Sequence, residues 1–205
     1  MHYLTFFVLA LMPVLALGES WPQFRGENGA GIAAGDAPLP SDLSPKRHLL
    51  WKTQLPPDRS SPVVSNGRIY LTGMRGDNAA TICIDASSGD VVWEKHSLEV
   101  GTLGYGGGHA QCICATNGEY VISFFGSAGM LCYDMSGELI WHTQFEPFNT
   151  QFGVGSSPIL VDDRIILSQD FDTDSFIMAI DLATGDTLWR TPRPDFIANF
   201  ATPVI

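Results

Sequence analysis

Basic residues are scarce in this 205-residue chain. Lysine and arginine number 11 against 22 aspartates and glutamates, which gives a net charge of −11 at neutral pH. A nucleic-acid-binding surface needs a stripe of positive charge to contact phosphates, so the composition argues against DNA or RNA as a partner. Charged residues make up only 16% of the chain and hydrophobic residues 45%, which is enough to build a core and argues against intrinsic disorder.

Long hydrophobic runs are also missing. The apolar run at positions 4–17 contains Thr5 and is shorter than the ~20 residues of a membrane-spanning helix. Ala16 and Gly18 are small residues ahead of Glu19, which is typical of a secretory cleavage site. We therefore predict a signal peptide at 1–18 and a periplasmic or secreted mature chain without a transmembrane segment. A buried N-terminal helix is the alternative, and no cysteine follows the run to carry a lipid anchor.

Recognisable catalytic motifs are absent as well. The sequence contains no Gly-Lys-Ser/Thr phosphate loop, no nucleophile elbow and no zinc-protease motif, and its histidines have no recognisable Ser, Cys or carboxylate partner spacing. No catalytic residue is predicted. The loop Gly104–His109 is a glycine-rich candidate for ligand contact, although a connection that needs positive φ explains it more simply.

Cysteine occurs four times, at positions 83, 112, 114 and 132. An exported chain with four cysteines requires that disulfides be considered. If Cys112 and Cys114 lie on one face of one strand, their separation is roughly 6.5–7 Å, at the limit of what a disulfide bridges. We expect four small buried thiols, with a disulfide or a metal site as alternatives.

A repeat dominates the rest of the sequence. Tryptophan recurs at positions 93, 141 and 189, at a constant interval of 48 residues. Each Trp follows an Asp, a Ser or Thr and a Gly, in the segments CIDASSGDVVW, CYDMSGELIW and AIDLATGDTLW. Such an Asp can accept hydrogen bonds from nearby amides, and such a Gly can adopt a left-handed conformation.

Each repeat divides into four short strands, predicted in the first copy at about 61–65, 68–73, 80–85 and 90–96. Asn66-Gly67 and Asn117-Gly118 are type I′ hairpin signals, which favour antiparallel sheets over a parallel β-solenoid. Four antiparallel strands at 40–50-residue spacing are typical of a propeller blade. The predicted fold class is therefore all-β, a partial β-propeller with blades at about 60–98, 109–146 and 156–192.

The ends of the repeat region each resemble one isolated strand. Trp51-Lys52-Thr53 matches the outer fourth strand, and 201–205 matches the first strand that begins at Ser61 and at Ser157. We predict a signal peptide at 1–18, an extended segment at 19–47 and the partial propeller at 48–205. Propellers have ~4–8 blades, so we expect a fragment whose further blades would pair with the lone outer strand.

The repeats resemble the pyrroloquinoline quinone (PQQ) type propellers, whose tryptophan-docking motif is Ala-x-Asp-x-x-Thr-Gly-x-x-x-Trp. The third copy matches the motif in full, at Ala179, Asp181, Thr184, Gly185 and Trp189. The other copies keep its Asp, Gly and Trp, at Asp85, Gly89, Trp93, Asp134, Gly137 and Trp141. The segment WPQFRGENGAGI at 21–32 also resembles the start of secreted PQQ-like repeat proteins. The resemblance implies that the motif residues dock neighbouring blades onto one another.

This resemblance implies two kinds of function. One branch comprises eight-bladed quinoprotein dehydrogenases that bind PQQ and calcium, and the other comprises non-catalytic propellers such as the lipoprotein of the outer-membrane β-barrel assembly machinery. The chain lacks both the vicinal Cys-Cys of the enzymes and the lipidated Cys of the lipoprotein. We expect a non-catalytic binding or scaffold module for an unidentified protein or small-molecule ligand. A fragment of a PQQ-dependent dehydrogenase, and assembly from two partial propellers, are the alternatives.

Asp170, Asp172 and Asp174 are weak metal candidates. Their spacing matches the start of a calcium loop, but such a loop has Gly at its sixth and Glu at its twelfth position, where Ser175 and Asp181 stand. A solvated hairpin between the second and third strands is favoured over a calcium site. No cofactor-binding residue is identified, and PQQ and calcium belong only to the dehydrogenase alternative.

Overall fold

Four-stranded antiparallel sheets recur three times in the computed structural model of this chain, which describes residues 20–33, 41–42, 44, 46–57, 60–99, 110–146, 153–171, 174–196 and 199–205. Blade 1 contains β1 (Val63–Ser65), β2 (Arg68–Arg75), β3 (Asn78–Asp85) and β4 (Val91–Glu99). Blade 2 contains β5 (Ala115–Thr116), β6 (Tyr120–Phe124), β7 (Met130–Asp134) and β8 (Leu139–Thr143). Blade 3 contains β9 (Ile159–Val161), β10 (Arg164–Gln169), β11 (Phe176–Asp181) and β12 (Thr187–Pro192).

The strands of each sheet follow one another in chain order, so each sheet is an antiparallel meander. The predicted all-β fold of four-stranded blades is confirmed. No helix within the described ranges has the length and apolar character needed to cross a membrane. The segment predicted as a signal peptide at 1–18 and the loop Gly104–His109 lie outside the described residues.

Two kinds of turn lie on the same side of each blade. The Ala86 amide donates to Gly67 O at 3.0 Å in blade 1, and the Leu182 amide donates to Asp163 O at 3.0 Å in blade 3. These bonds join the turn after the first strand to the turn after the third strand, and we call this side the turn face. The first strands of successive blades are neighbours, so they form the inner side, and the fourth strands are the outer edges of the sheets.

The first hairpin of each blade is present, but its turn geometry varies. Asn66 and Gly67 have φ of 51° and 69°, as a type I′ turn requires. In blade 2 Gly118 has a φ of 87° whereas Asn117 does not have a positive φ. The Asn117 side chain instead accepts the Glu119 amide at 3.0 Å, which is an Asx turn. The type I′ prediction for Asn117-Gly118 is therefore wrong, although the hairpin forms.

The hydrophobic core lies between the blades. Strands covered on both faces bury alternate side chains against different neighbours. The sheets of blades 1 and 2 each contribute to two clusters of buried residues, and the sheet of blade 3 contributes to one. The cluster between blades 1 and 2 includes Val63, Tyr70, Cys83, Val121, Leu131 and Tyr133. The cluster between blades 2 and 3 includes Ile122, Phe124, Met130, Cys132, Ile165, Leu167 and Met178.

All four cysteines are free and buried, as expected. Burial raises the pKa of Cys83 to about 11 and that of Cys132 to about 12, so both are protonated thiols at neutral pH. The prediction that Cys112 and Cys114 share one face is wrong. Cys112 packs between blades 2 and 3, and Cys114 packs between blades 1 and 2, because the regular alternation of a strand begins only at Ala115.

The two isolated strands predicted at the ends of the repeat region do not form ladders. Residues 48–55 have no strand assignment. Residues 199–205 run beside blade 3, where Ser156 Oγ donates to Ala201 O at 3.0 Å and the Ser157 amide donates to Thr202 Oγ1 at 3.0 Å. Neither segment belongs to a sheet within the described residues, and their backbone pairing is limited to an isolated bridge between Asn199 and Asp170.

Candidate functional site

The predicted docking residues lie at the junctions between blades. The indole Nε1–H of Trp93 donates to Met135 O at 3.2 Å, and that of Trp141 donates to Leu182 O at 3.0 Å. Each acceptor is the residue directly after the Asp of the following blade. Each of these two indoles therefore contacts the next repeat along the chain as well as its own sheet.

The glycine of each docking turn lies against the indole of the preceding blade. A Cβ on Gly137 would lie 2.9 Å from the Trp93 ring, and a Cβ on Gly185 would lie 2.7 Å from the Trp141 ring. These glycines have φ of 87° and 77°. Glycine is therefore required at this position for two reasons, the left-handed backbone conformation and the close approach of the indole ring.

Trp51 makes the same contact ahead of blade 1. Its Nε1–H donates to Ala86 O at 3.0 Å, and a Cβ on Gly89 would lie 2.5 Å from its ring. Thr53 donates to Gly89 O, and Thr143 makes the equivalent bond at the junction of blades 2 and 3 at 2.9 Å. Residues 48–55 thus supply a docking indole, as an outer strand does. They do not form the backbone hydrogen-bond ladder of a strand.

A small residue stands opposite each tryptophan on the neighbouring strand. Cys83 pairs with Trp93 and Ala179 pairs with Trp189, and Cys132 occupies the same place in blade 2. The first position of the motif is therefore the cross-strand partner of its last position. A larger side chain there would compete with the indole for space.

Trp189 has no turn to dock on in the described part of the chain. It is 44% exposed, whereas Trp93 is 9% exposed. The two residues occupy equivalent places in β12 and β4, so the difference reflects the presence of a following blade beside Trp93. The far side of blade 3 therefore presents an indole without its acceptor.

The Asp of each turn holds the loop against which the indole packs. Asp85 Oδ1 accepts the amides of Ser87 and Ser88 at 2.9 and 3.1 Å. The Ser87 hydroxyl, these amides and the Arg68 guanidinium stabilise the charged carboxylate and lower the pKa of Asp85 to about 2.

The equivalent turns repeat this arrangement. A hydrogen bond from the Ser136 hydroxyl lowers the pKa of Asp134. Asp181 Oδ1 accepts the amides of Ala183 and Thr184 at 3.0 and 2.9 Å. All three carboxylates therefore have structural hydrogen bonds within their own turn.

A β-bulge precedes each tryptophan, and sequence analysis missed it. Cys83 pairs with Trp93 while Ile84 pairs with Val91, which leaves Val92 as the extra residue of β4. Ile140 in β8 and Leu188 in β12 are the extra residues of the other two blades. Bulges reorient neighbouring side chains, and the only signal in the sequence is the constant three-residue gap between Gly and Trp.

The bulge residues form an exposed surface along the outer strands. Val92, Ile140 and Leu188 are 47%, 46% and 47% exposed. An exposed acidic residue lies two positions before each of them. We call the six residues the outer belt: Asp90, Val92, Glu138, Ile140, Asp186 and Leu188.

A segment near the N-terminus crosses the inner strands at the turn face. Trp21 exchanges two backbone hydrogen bonds with Val64 in β1, of 2.8 and 2.9 Å. The Pro22 carbonyl accepts an amide of β5 at 2.9 Å, and the Gln23 carboxamide accepts an amide of β9 at 2.8 Å. An extended segment is predicted here from the sequence, but Gln23 has no predicted role because a single glutamine carries no pattern.

A pocket of about 370 Å³ opens between this segment and the first hairpin turns. Its lining includes Gln23, Glu27, Asn117 and Asp162. The two carboxylates make the pocket negatively charged, so it suits a small polar or cationic ligand better than an anion.

The weak metal candidates do not come together as a calcium site. Asp170 is 6% exposed rather than solvated, and Arg193 holds it with Nε 2.9 Å from Oδ1 and Nη2 3.0 Å from Oδ2. Because a bound guanidinium repels a second cation, Asp170 does not fit calcium. Asp174 is exposed and lines a separate groove, and Asp172 lies outside the described residues. No group of three His, Cys, Asp or Glu residues able to hold a metal is found in the part of the chain that the structure describes.

Neither of two cavities among the described residues fits PQQ, which is a planar tricarboxylate. The turn-face pocket carries carboxylates of the same charge sign. A groove of about 510 Å³ between blades 2 and 3 contains Arg190, but its guanidinium lies over the Phe176 ring at 4.2 Å, and Glu146 and Asp174 line the same groove. Neither cavity offers matched cationic partners for three carboxylates.

Comparison with known families identifies the family to which these repeats belong. A family model described as outer membrane protein assembly factor BamB matches residues 83–204, more than half of the chain. The chain belongs to this PQQ-like repeat family. The matched range contains the docking turns of all three blades and extends from β3 into the segment beside blade 3. No curated protein matches the sequence.

Solved structures share the family's fold at low sequence identity. The quinohemoprotein alcohol dehydrogenase from Comamonas testosteroni matches 84% of this chain and 27% of its own, with a TM-score of 0.60 and 17% identity. A europium-containing methanol dehydrogenase matches 64% of this chain and 24% of its own, with a TM-score of 0.50 and 14% identity. The chain spans about a quarter of the length of these two enzymes, so the likeness concerns the blade fold alone. BamB from Moraxella catarrhalis has a TM-score of 0.35, which carries no structural argument.

Gly185→Ala tests the contact between a docking turn and the preceding indole. The new Cβ would meet the Trp141 ring at 2.7 Å and keep a φ of 77°, so we expect the unfolding free energy to fall by about 2–4 kcal/mol. Gly67→Ala is the matched control, because its φ is 69° and nothing lies within 4 Å of its Cβ, and it should lose only ~1 kcal/mol. Urea denaturation measures both, and equal losses would contradict the contact.

Replacing two equivalent tryptophans tests whether docking stabilises the chain. Trp93→Ala removes a buried indole and its hydrogen bond and should lower the unfolding free energy by about 3–5 kcal/mol. Trp189→Ala removes an indole that is 44% exposed and should lose less than half as much. Thermal unfolding followed by circular dichroism compares them, and a larger loss for Trp189→Ala would refute the interpretation.

The pKa of Asp85 should depend on the Ser87 hydroxyl. Asp85 contributes stability above its ordinary pKa of 3.8, and this contribution is lost as the pH falls through about 2. Ser87→Ala should move the Asp85 pKa upward toward 3.8, measured by NMR titration of the carboxyl carbon. Ser88→Ala keeps its amide bond to Asp85 and should leave the pKa near its low value. A Ser87→Ala pKa that stays at about 2 would be evidence against this prediction.

Proposed function

We propose that this chain is an exported β-propeller that acts as a non-catalytic binding or scaffold module of the cell envelope, with a protein as its partner. Family membership supports this proposal, because the matching family is described as an outer membrane protein assembly factor. The predicted signal peptide at 1–18 supports export to the periplasm or beyond.

The outer belt is the observation that carries the proposal. Its three aliphatic residues are exposed to nearly the same extent, at the same bulge position of each blade. Single apolar residues scattered on a surface need no explanation, but a recurring exposed apolar position along unpaired sheet edges indicates an interaction surface. Strand edges with aliphatic side chains are suited to contact another protein.

The negative charge of the outer belt limits the kind of protein surface that can bind it. An acidic residue accompanies each aliphatic one in the belt, and the chain as a whole carries a net charge of −11. Complementary charge steers association and suppresses wrong partners. We therefore expect a partner surface that combines apolar and basic side chains.

A fragment of a PQQ-dependent quinoprotein dehydrogenase is the second candidate function. The chain shares its blade fold with a quinohemoprotein alcohol dehydrogenase at a TM-score of 0.60, and this fold is compatible with the candidate. In such an enzyme the cofactor carries the redox chemistry and the protein orients it. The acidic lining of the turn-face pocket weighs against a PQQ site within these three blades.

Photo-crosslinking in cells tests the scaffold role. A photoreactive residue placed at Val92 or at Ile140 of the full-length protein should link to one and the same envelope protein. Leu188→Asn should reduce this crosslinking about tenfold or more, as expected for loss of an apolar contact at the interface. Thr187→Asn is the matched control on the neighbouring exposed residue and should leave crosslinking unchanged.

Cofactor loading separates the two candidates. The purified full-length protein is mixed with PQQ and calcium and assayed for dye reduction with alcohols and sugars. We expect neither turnover nor stoichiometric PQQ binding. Turnover would establish the dehydrogenase, and the absence of both turnover and belt crosslinks would overturn the scaffold role itself.

A further inference from the structure

Three equivalent amides face the segment that crosses the inner strands. Val64, Thr116 and Leu160 occupy the same place in the first strand of blades 1, 2 and 3, since each pairs with the residue five positions later. Their N–H groups point away from the second strand, toward the inner side. Amides that are at least half-buried, as these are, need an acceptor.

Three consecutive residues supply those acceptors in blade order. Trp21 O accepts the amide of blade 1 at 2.9 Å, Pro22 O accepts that of blade 2 at 2.9 Å, and Gln23 Oε1 accepts that of blade 3 at 2.8 Å. One residue of the segment therefore serves one blade. The order of residues in the segment repeats the order of the blades.

The residue types fit this task. Pro22 has no N–H. It therefore places no second donor beside the amide of blade 2, which is itself a donor and needs an acceptor. Gln23 is 6% exposed and reaches its blade through a side-chain oxygen. Its main-chain carbonyl is used elsewhere, because it accepts the Gly26 amide at 2.9 Å.

The following residues fold back and hold the segment in place. Arg25 and Gly26 have φ of 59° and 74°, and a Cβ on Gly26 would lie 2.8 Å from the Trp21 ring. Gly29 reaches the stretch beside blade 3, where its Cβ would lie 2.7 Å from Val204. The segment is thus tied to the inner side of the three described blades and to the stretch at 199–205.

We propose that the inner edges of the blades form a docking site for an extended segment, and that Trp21–Gln23 of the same chain occupy it as a clasp that fixes the spacing of the three blades. This inference is independent of the proposed scaffold role. A partner that docks on this edge in extended form has to displace the clasp first.

Amide hydrogen exchange followed by NMR tests the clasp in the full chain. Gln23→Leu removes the acceptor for Leu160 at similar side-chain volume, and the Leu160 amide should exchange at least about tenfold faster. Gln23→Glu keeps a side-chain oxygen and should retain the protection. Gln54→Leu makes the same change at an exposed glutamine and should leave Leu160 unaffected.

Several outcomes would overturn the proposal. The core amide of Ile122 reports whether each variant is folded, and unchanged Leu160 exchange in a folded Gln23→Leu chain removes the clasp. Equal loss of protection in Gln23→Glu also contradicts it. If Gln23→Leu does not fold, Gln23→Asn shortens the side chain by one methylene, and faster Leu160 exchange supports the clasp while unchanged exchange refutes it. Protection that falls on dilution would assign the segment to a second copy and not to the same chain.

Discussion

The contact between an indole and the turn of the next repeat sets most other features of this structure. The ring can reach the turn only if a glycine lies beneath it, as at Gly137 and Gly185. The ring can pack against its own sheet only if a small residue lies opposite it on the neighbouring strand, as Ala179 does for Trp189. The turn presents its carbonyl only when an Asp holds its amides. About a dozen consecutive residues in each repeat therefore supply the turn of one junction and the indole of the next.

The sequence predicts well what is determined locally and repeated. Strand order, the hairpin positions and the four buried thiols follow from short patterns, and repetition in three copies distinguishes them from chance. It predicts poorly what depends on distant partners or on single residues. The bulge at Val92 depends on register against β3, and the departure of Cys114 from the face of Cys112 depends on where β5 starts. Gln23 meets Leu160 across 137 positions, and no local pattern indicates such a contact.

Many of the polar side chains that resemble candidates for catalysis or metal binding have structural roles. The docking-turn carboxylates hold amides of their own turns, and Asp170 holds Arg193, which follows the last strand of blade 3. Groups already engaged in this way are poor candidates for ligands or acids and bases, because a new role would break an existing bond. The exposed aliphatic residues of the outer belt have no such duty, whereas the amides of the inner edge are already bound by the clasp.

The direction of docking has a consequence for how the protein is made. Each tryptophan leaves the ribosome about forty residues before the turn that receives it, at synthesis rates of ~5–20 residues per second. A newly synthesised blade therefore stays undocked for seconds, until the next blade has emerged from the ribosome. The segment that contacts three blades is synthesised before all of them and receives its third partner 137 residues later. The inner edge can therefore be completed only after the third blade has been translated.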